Sequence, residues 1–221
     1  TANFIAANAA SPVSDDFNSC GLNPVWTFVN PVGDGSYSIN GTQLLLNVPA
    51  NVSHNIWLEG NRSVRVMQPT QNTDFEVVAK FESVVTQRYQ MQGILVEQDS
   101  QNYLRFEVYH DGATTRLYAA RFLNGDPKPM VPGIELTGGT PPFLRITRVG
   151  SSWSFSYSYN GTAWTSGGSF SHSPAPESCN DCHLGIRPVG PVGSPAFDHA
   201  KGGTGDCVSC HDFPVSHGDK G

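Results

Sequence analysis

Residues 152–161 read Ser-Trp-Ser-Phe-Ser-Tyr-Ser-Tyr-Asn-Gly, with a ring at every second position and serine between. In an extended strand successive side chains point to opposite faces, so Trp153, Phe155, Tyr157 and Tyr159 share one face and the serines the other. A helix would scatter the same rings around its circumference. Asn160-Gly161 follows as a hairpin signal, because both residue types tolerate positive φ. The expectation is a half-buried antiparallel strand running into a tight turn.

The same period recurs upstream. In 74–83 (DFEVVAKFES) Phe75, Val77, Ala79 and Phe81 fall on one face. In 102–112 (NYLRFEVYHDG) Leu104, Phe106 and Val108 oppose Arg105, Glu107 and Tyr109. Further turn pairs stand at Asp34-Gly35, Asp111-Gly112 and Asn124-Gly125. About a dozen such strands are too many for one open sheet, so two packed antiparallel sheets are expected over residues 14–172. Residues 1–13 lack a strong period and read as an N-terminal arm.

Composition supports this and excludes other classes. The chain has 23 Gly and 16 Pro, a bias toward strands and turns. A net charge of −6 argues against nucleic acid, whose phosphates need a basic face. No apolar run approaches the roughly 20 residues that span a bilayer. The first residues have no basic region of a signal peptide, so an export signal is expected to have been removed.

One resemblance spans several of these stretches. Asp15-Asp16-Phe17-Asn18, 26–39 (WTFVNPVGDGSYSI), 43–49 (QLLLNVP), 60–68 (GNRSVRVMQ), 90–112 and 144–165 follow one another in an order that resembles bacterial extracellular modules of the concanavalin A-like lectin/glucanase family. Such modules are appended to β-xylosidases and other secreted proteins. The resemblance covers roughly residues 12–172 and implies an all-β, two-sheet antiparallel jelly-roll sandwich. It leaves function open, because such sandwiches host many tasks.

After residue 172 the composition changes to a proline- and glycine-rich stretch, 173–221, too poor in apolar residues to form a core of its own. It contains Cys179-Asn-Asp-Cys182-His183 and Cys207-Val-Ser-Cys210-His211. Both match the c-type haem attachment motif. Two thiols separated by two residues can form thioethers with the two vinyl groups of one porphyrin, and the next residue then places an imidazole under the iron. Two covalently bound haem c groups are therefore expected, with His183 and His211 as proximal ligands. A zinc ribbon, two disulfides or redox dithiols are the alternatives. None of them explains a histidine after the second cysteine both times.

Phe170-x-His172 and Phe197-x-His199 precede the two motifs, and His217 follows the second. This arrangement resembles low-potential multihaem cytochromes, which implies His199, His217 and His172 as candidate distal ligands. Phe-x-His also closes the last strand of the sandwich family, an ordinary structural role for His172. Met67, Met91 and Met130 lie in strand-like segments and read as packing residues. Two histidine ligands leave no open iron position, so one-electron transfer is expected and enzymatic chemistry is not.

Polar and aromatic residues that grip sugars occur as Trp57, Asn61 and Arg62, with Gln90 and Gln92; packing and capping of a strand connection is the competing reading. Glu59, Glu76, Glu97 and Glu107 could form the carboxylate pair of a hydrolase, but strand alternation places them on solvated faces. Cys20 reads as buried or as an intermolecular disulfide. His54 and His110 read as turn residues, and the sequons at Asn40, Asn51, Asn61 and Asn160 as turn chemistry. The expected protein is a secreted or cell-surface dihaem electron carrier, with redox proteins or extracellular acceptors as partners and a haem-stacked homopolymer as one arrangement. One alternative is a carbohydrate-binding module tethering a redox tail to polysaccharide; the other is a zinc-stapled structural or adhesion protein.

Overall fold

The computed structural model describes residues 12–173. The two Cys-x-x-Cys-His motifs, His199 and His217 lie outside the described residues. Within them the chain forms twelve strands. β1 (Thr27–Val29) pairs antiparallel with β4 (Arg65–Met67), and β2 (Ser36–Ile39) with β3 (Leu44–Asn47). The remaining eight are β5 (Phe75–Lys80), β6 (Met91–Glu97), β7 (Tyr103–His110), β8 (Thr115–Leu123), β9 (Asp126–Glu135), β10 (Phe143–Val149), β11 (Ser152–Ser158) and β12 (Thr165–Ser171). They build two four-stranded antiparallel sheets, ordered β12-β11-β10-β5 and β6-β7-β8-β9. The expected all-β jelly-roll sandwich is the fold.

The core lies between these sheets. Leu104, Phe106 and Val108 of β7 and Leu117 and Ala119 of β8 meet Leu144 and Ile146 of β10 and Trp153 and Phe155 of β11. Phe106 is its centre, stacked on Trp153 at 6.0 Å and on Phe170 at 5.8 Å, and edge-on to Phe155 at 5.4 Å. Each such buried side chain stabilises the fold by about 1.5–3 kcal/mol. The alternation that begins at Trp153 stops one residue early. Ser158 is only 1% exposed, and its hydroxyl accepts the Gly161 N–H at 2.9 Å. Tyr159 is 45% exposed, and its hydroxyl donates to the Gly139 carbonyl at 3.2 Å.

The turn signals act as their chemistry requires. Asn124 and Gly125 both have positive φ between β8 and β9, the two-residue hairpin form. Asn40 and Asn160 accept backbone N–H groups of the residues that follow them, so these two sequons are turn-formers here. Val13, at the end of the expected arm, exchanges hydrogen bonds with the Gln68 side chain at 2.8 and 3.0 Å. Met67, Met91 and Met130 fall in β4, β6 and β9.

β7 departs from expectation. Rather than half-buried, Tyr103 to Val108 are buried on both faces. The outer face of sheet β6-β9 is not bare. Tyr103, Ala120 and Phe122 form a second apolar cluster there, and Trp57 from the β3–β4 connection packs onto it.

Candidate functional site

That outer face is where chemistry collects. β7 is central in its sheet, and the alternation that sends Leu104, Phe106 and Val108 inward sends Arg105 and Glu107 outward. The β3–β4 connection lays Trp57 over Arg105, and both charges are buried: Arg105 is 7% exposed and Glu107 4%. The solvated faces expected for the glutamates are thus overturned at Glu107, and at Glu97, whose side chain is 16% exposed. Glu76 does lie exposed, accepting a hydrogen bond from Thr147 at 3.0 Å. Glu59 pairs with Arg62 within its own loop.

Arg105 Nη2 lies 3.1 Å from Glu107 Oε1, an ion pair. Its guanidinium also lies 5.3 Å from the ring centres of both Trp57 and Tyr118 and 5.8 Å from that of Phe122, a three-sided aromatic cage. Trp57 meets Phe122 edge-on at 5.6 Å and Tyr118 at 6.3 Å. Beside this cage Arg65 of β4 pairs with Glu97 of β6 at 2.8 Å, and Asn61 donates to Glu97 at 3.2 Å. The Tyr103 hydroxyl donates to the Ile56 carbonyl at 3.1 Å. These bonds hold the connection that carries Trp57 against the sheet.

Burial raises Glu107 to about 7, opposed by the Arg105 charge. Burial likewise raises Tyr103 to about 12 and pushes Tyr118 and Tyr109 upward, so all three phenols stay protonated donors at neutral pH. Gly93 of β6 stands opposite Glu107, is exposed and contributes no side chain to roof it. A Cβ there would lie 2.7 Å from the Glu107 Cα, so the close strand approach itself requires glycine.

Of the residues expected to grip sugar, Trp57 and Asn61 join this face, while Arg62 is engaged by Glu59. Gln90 accepts the N–H groups of Thr86 and Gln87, and Gln92 exchanges hydrogen bonds with Ser83. Both tie down a loop. Arg105, Tyr118 and Arg65 were not singled out from the sequence, and Glu107 only as a solvated carboxylate, although two opposite charges at alternate positions of an apolar strand were a visible signal.

His172 is the one candidate haem ligand within the described residues. It directly follows β12, with its N–H on the Ser151 carbonyl at 2.8 Å and its own carbonyl on the Trp153 indole at 2.9 Å. Burial first, and the charges of Arg121 and Arg148 next, push its imidazole below the ordinary value. That favours the neutral form, the one able to bind a metal. His54 is engaged by Asp34 at 2.9 Å, and His110 accepts the Gly112 N–H at 3.1 Å. Cys20 is a free, exposed thiol, which removes the buried reading. Among the described residues no group of three or more His, Cys, Asp or Glu could hold a metal ion, and no helix is long and apolar enough to cross a membrane.

The fold is that of a concanavalin A-like jelly-roll module. Residues 14–175 match the family described as "Beta xylosidase C-terminal Concanavalin A-like domain", and the chain belongs to that family. Among solved structures it is similar to the GH43 protein BlXynB of Bacillus licheniformis, at 23% identity and a TM-score of 0.56. The match covers 71% of this chain and 30% of that one. It is also similar to GH43B of a Bacteroides ovatus xyloglucan locus, at 18% identity and a TM-score of 0.55, covering 73% of this chain and 31% of the other. At these identities the likeness is one of fold, and it spans under a third of either protein. No curated protein matches the chain.

Proposed function

We propose that the sandwich is a carbohydrate-binding module that holds a dihaem electron-transfer tail on extracellular polysaccharide. The observation that carries the glycan half is the outer face of sheet β6-β9. There Trp57 and Tyr118 present half-buried rings beside polar groups fixed by hydrogen bonds, the combination that orients a sugar. Family membership supports it. Hydrolysis is not part of the proposal. Glu107 and Glu97 are each held in an ion pair with an arginine, a structural role for both carboxylates.

The redox half is supported by the donor set of residues 173–221. Cys179, Cys182 and His183, and Cys207, Cys210 and His211, supply for each motif the two thiols and one imidazole that covalent haem needs. When bound, such a group supplies one-electron chemistry. His199, His217 and the neutral His172 are the residues proposed to complete the coordination. Stacking of subunits into a haem-continuous filament is the extended form of this reading. Electron micrographs showing only dispersed particles would sink that form alone.

One experiment tests both halves. Purified protein is mixed with insoluble xylan and sedimented, and the reduced α and Soret bands are recorded in pellet and supernatant. Bands that travel with the xylan and survive acid-acetone extraction support the proposal. A colourless zinc protein overturns the redox half, and bands left in solution overturn the glycan half.

A further inference from the structure

At the end of the sandwich where β12 delivers the chain to His172, each large sheet contributes an arginine. Arg121 of β8 lies across from Leu104, and Arg148 of β10 from Trp153 and Phe75, so both stand on inner, core-facing surfaces. Lys128 of β9 is the other cross-strand neighbour of Arg121. The Arg148 guanidinium lies 5.4 Å from the Trp153 ring centre, and the Trp153 indole donates to the His172 carbonyl at 2.9 Å. The charges of Arg121 and Arg148 both bear on the His172 imidazole. Yet neither arginine has an ion-pair partner among the described residues. Asp74 accepts the Gly150 N–H at 2.6 Å instead. Arg148 Nε donates to the Gly150 carbonyl at 3.0 Å, and Arg121 Nε is buried without a described partner. The terminal nitrogens of both half-buried arginines bond no described residue and stay open to solvent. In a chain of net charge −6, this uncompensated cationic end selects an anion. Guanidinium forks bind carboxylates best, through paired charge-assisted hydrogen bonds.

Covalent haem carries what this end lacks, a pair of propionate carboxylates. Cys179 follows His172 by seven residues, and at no more than about 3.6 Å per residue the first motif is tethered within roughly 25 Å of that histidine. Cys207 follows it by 35, a tether too long to constrain anything. We propose that Arg121 and Arg148 bind the propionates of the haem attached at Cys179 and Cys182, docking it at this end of the sandwich. The inference rests on the redox half of the reading above. It gives the sandwich a part in setting the potential of that haem, because two fixed positive charges beside the macrocycle favour the reduced state.

The test is arginine labelling with phenylglyoxal, read residue by residue by peptide mass spectrometry. It compares the full-length haem-loaded protein with its Cys179→Ala/Cys182→Ala and Cys207→Ala/Cys210→Ala variants. Pyridine haemochrome on the same samples gives the haem content, and the exposed Arg88 serves as internal reference. Arg121 and Arg148 should label about tenfold more slowly in the loaded protein than in the first-motif variant, the protection that one charge-assisted hydrogen bond supplies. They should stay protected in the second-motif variant. Equal labelling in the loaded protein and the first-motif variant overturns the docking and leaves the redox reading standing; so does protection that vanishes only with the second motif. Absence of covalent haem from the wild-type protein overturns both. Spectroelectrochemical titration gives a second readout. Arg121→Gln/Arg148→Gln should shift the reduction equilibrium of one haem about tenfold toward the oxidised form, which is about 59 mV for one electron. Titrations of variant and wild type that coincide overturn the inference as well.

Discussion

Glu107→Gln should remove most of a pH dependence that the wild-type sandwich carries. In the unfolded chain this carboxyl has its ordinary value of 4.5, whereas in the fold burial raises it to about 7 against the opposing Arg105 charge. Between those values the folded state holds the proton more tightly than the unfolded one. Stability from this group is therefore fully present below pH 4.5 and is lost as pH rises toward about 7. At about 1.4 kcal/mol per pH unit the gap corresponds to a loss on the order of 3 kcal/mol. Glutamine mimics the protonated acid in shape and stays neutral. The variant should match wild type near pH 4 and exceed it near pH 8 by an amount of that order. Urea denaturation followed by far-ultraviolet circular dichroism at both pH values measures it, and the difference between the proteins cancels other titrating groups. Parallel pH profiles for the two proteins would refute the reasoning. So would a Glu107 carboxyl that titrates near 4.5 by NMR.

Three further outcomes follow from the packing and the motifs. Phe106→Ala, which empties the fully buried centre of the core, should cost about 3–5 kcal/mol by the same denaturation assay. Trp57→Ala removes one wall of the Arg105 cage and should weaken sedimentation with xylan severalfold; as Trp57 is only half-buried, its stability cost should fall below that of Phe106→Ala. Replacing Cys179 and Cys182 together with Ala, or Cys207 and Cys210 together, should each halve the haem content measured by pyridine haemochrome and lower the intact mass by one haem, leaving the other motif loaded.

Much of the fold was legible because strand geometry writes itself into period-two patterns. The rings of 153–157 and the apolar face of 75–81 needed no tertiary information, nor did the Asn124-Gly125 turn. The candidate site was only half legible. Trp57 and Asn61 were marked by residue type alone, whereas Glu107 and Glu97 were placed in solvent by the same alternation that located their strands. Alternation states which side of a strand a residue faces; it says nothing of what covers that side. Over Arg105 and Glu97 the cover comes from Trp57 and Asn61 of the β3–β4 connection, which has no period and reaches the sheet from roughly 40–50 positions earlier in the chain.

The sequence by itself therefore determined the strand pattern, the turns and the two Cys-x-x-Cys-His motifs, because each depends on residues adjacent in the chain. Only the tertiary structure decided that Arg105 and Glu107 are buried as a pair, with Trp57, Tyr118 and Phe122 around the arginine. Burial is a sum over neighbours distant in sequence. It is burial that pushes the Glu107 carboxyl upward.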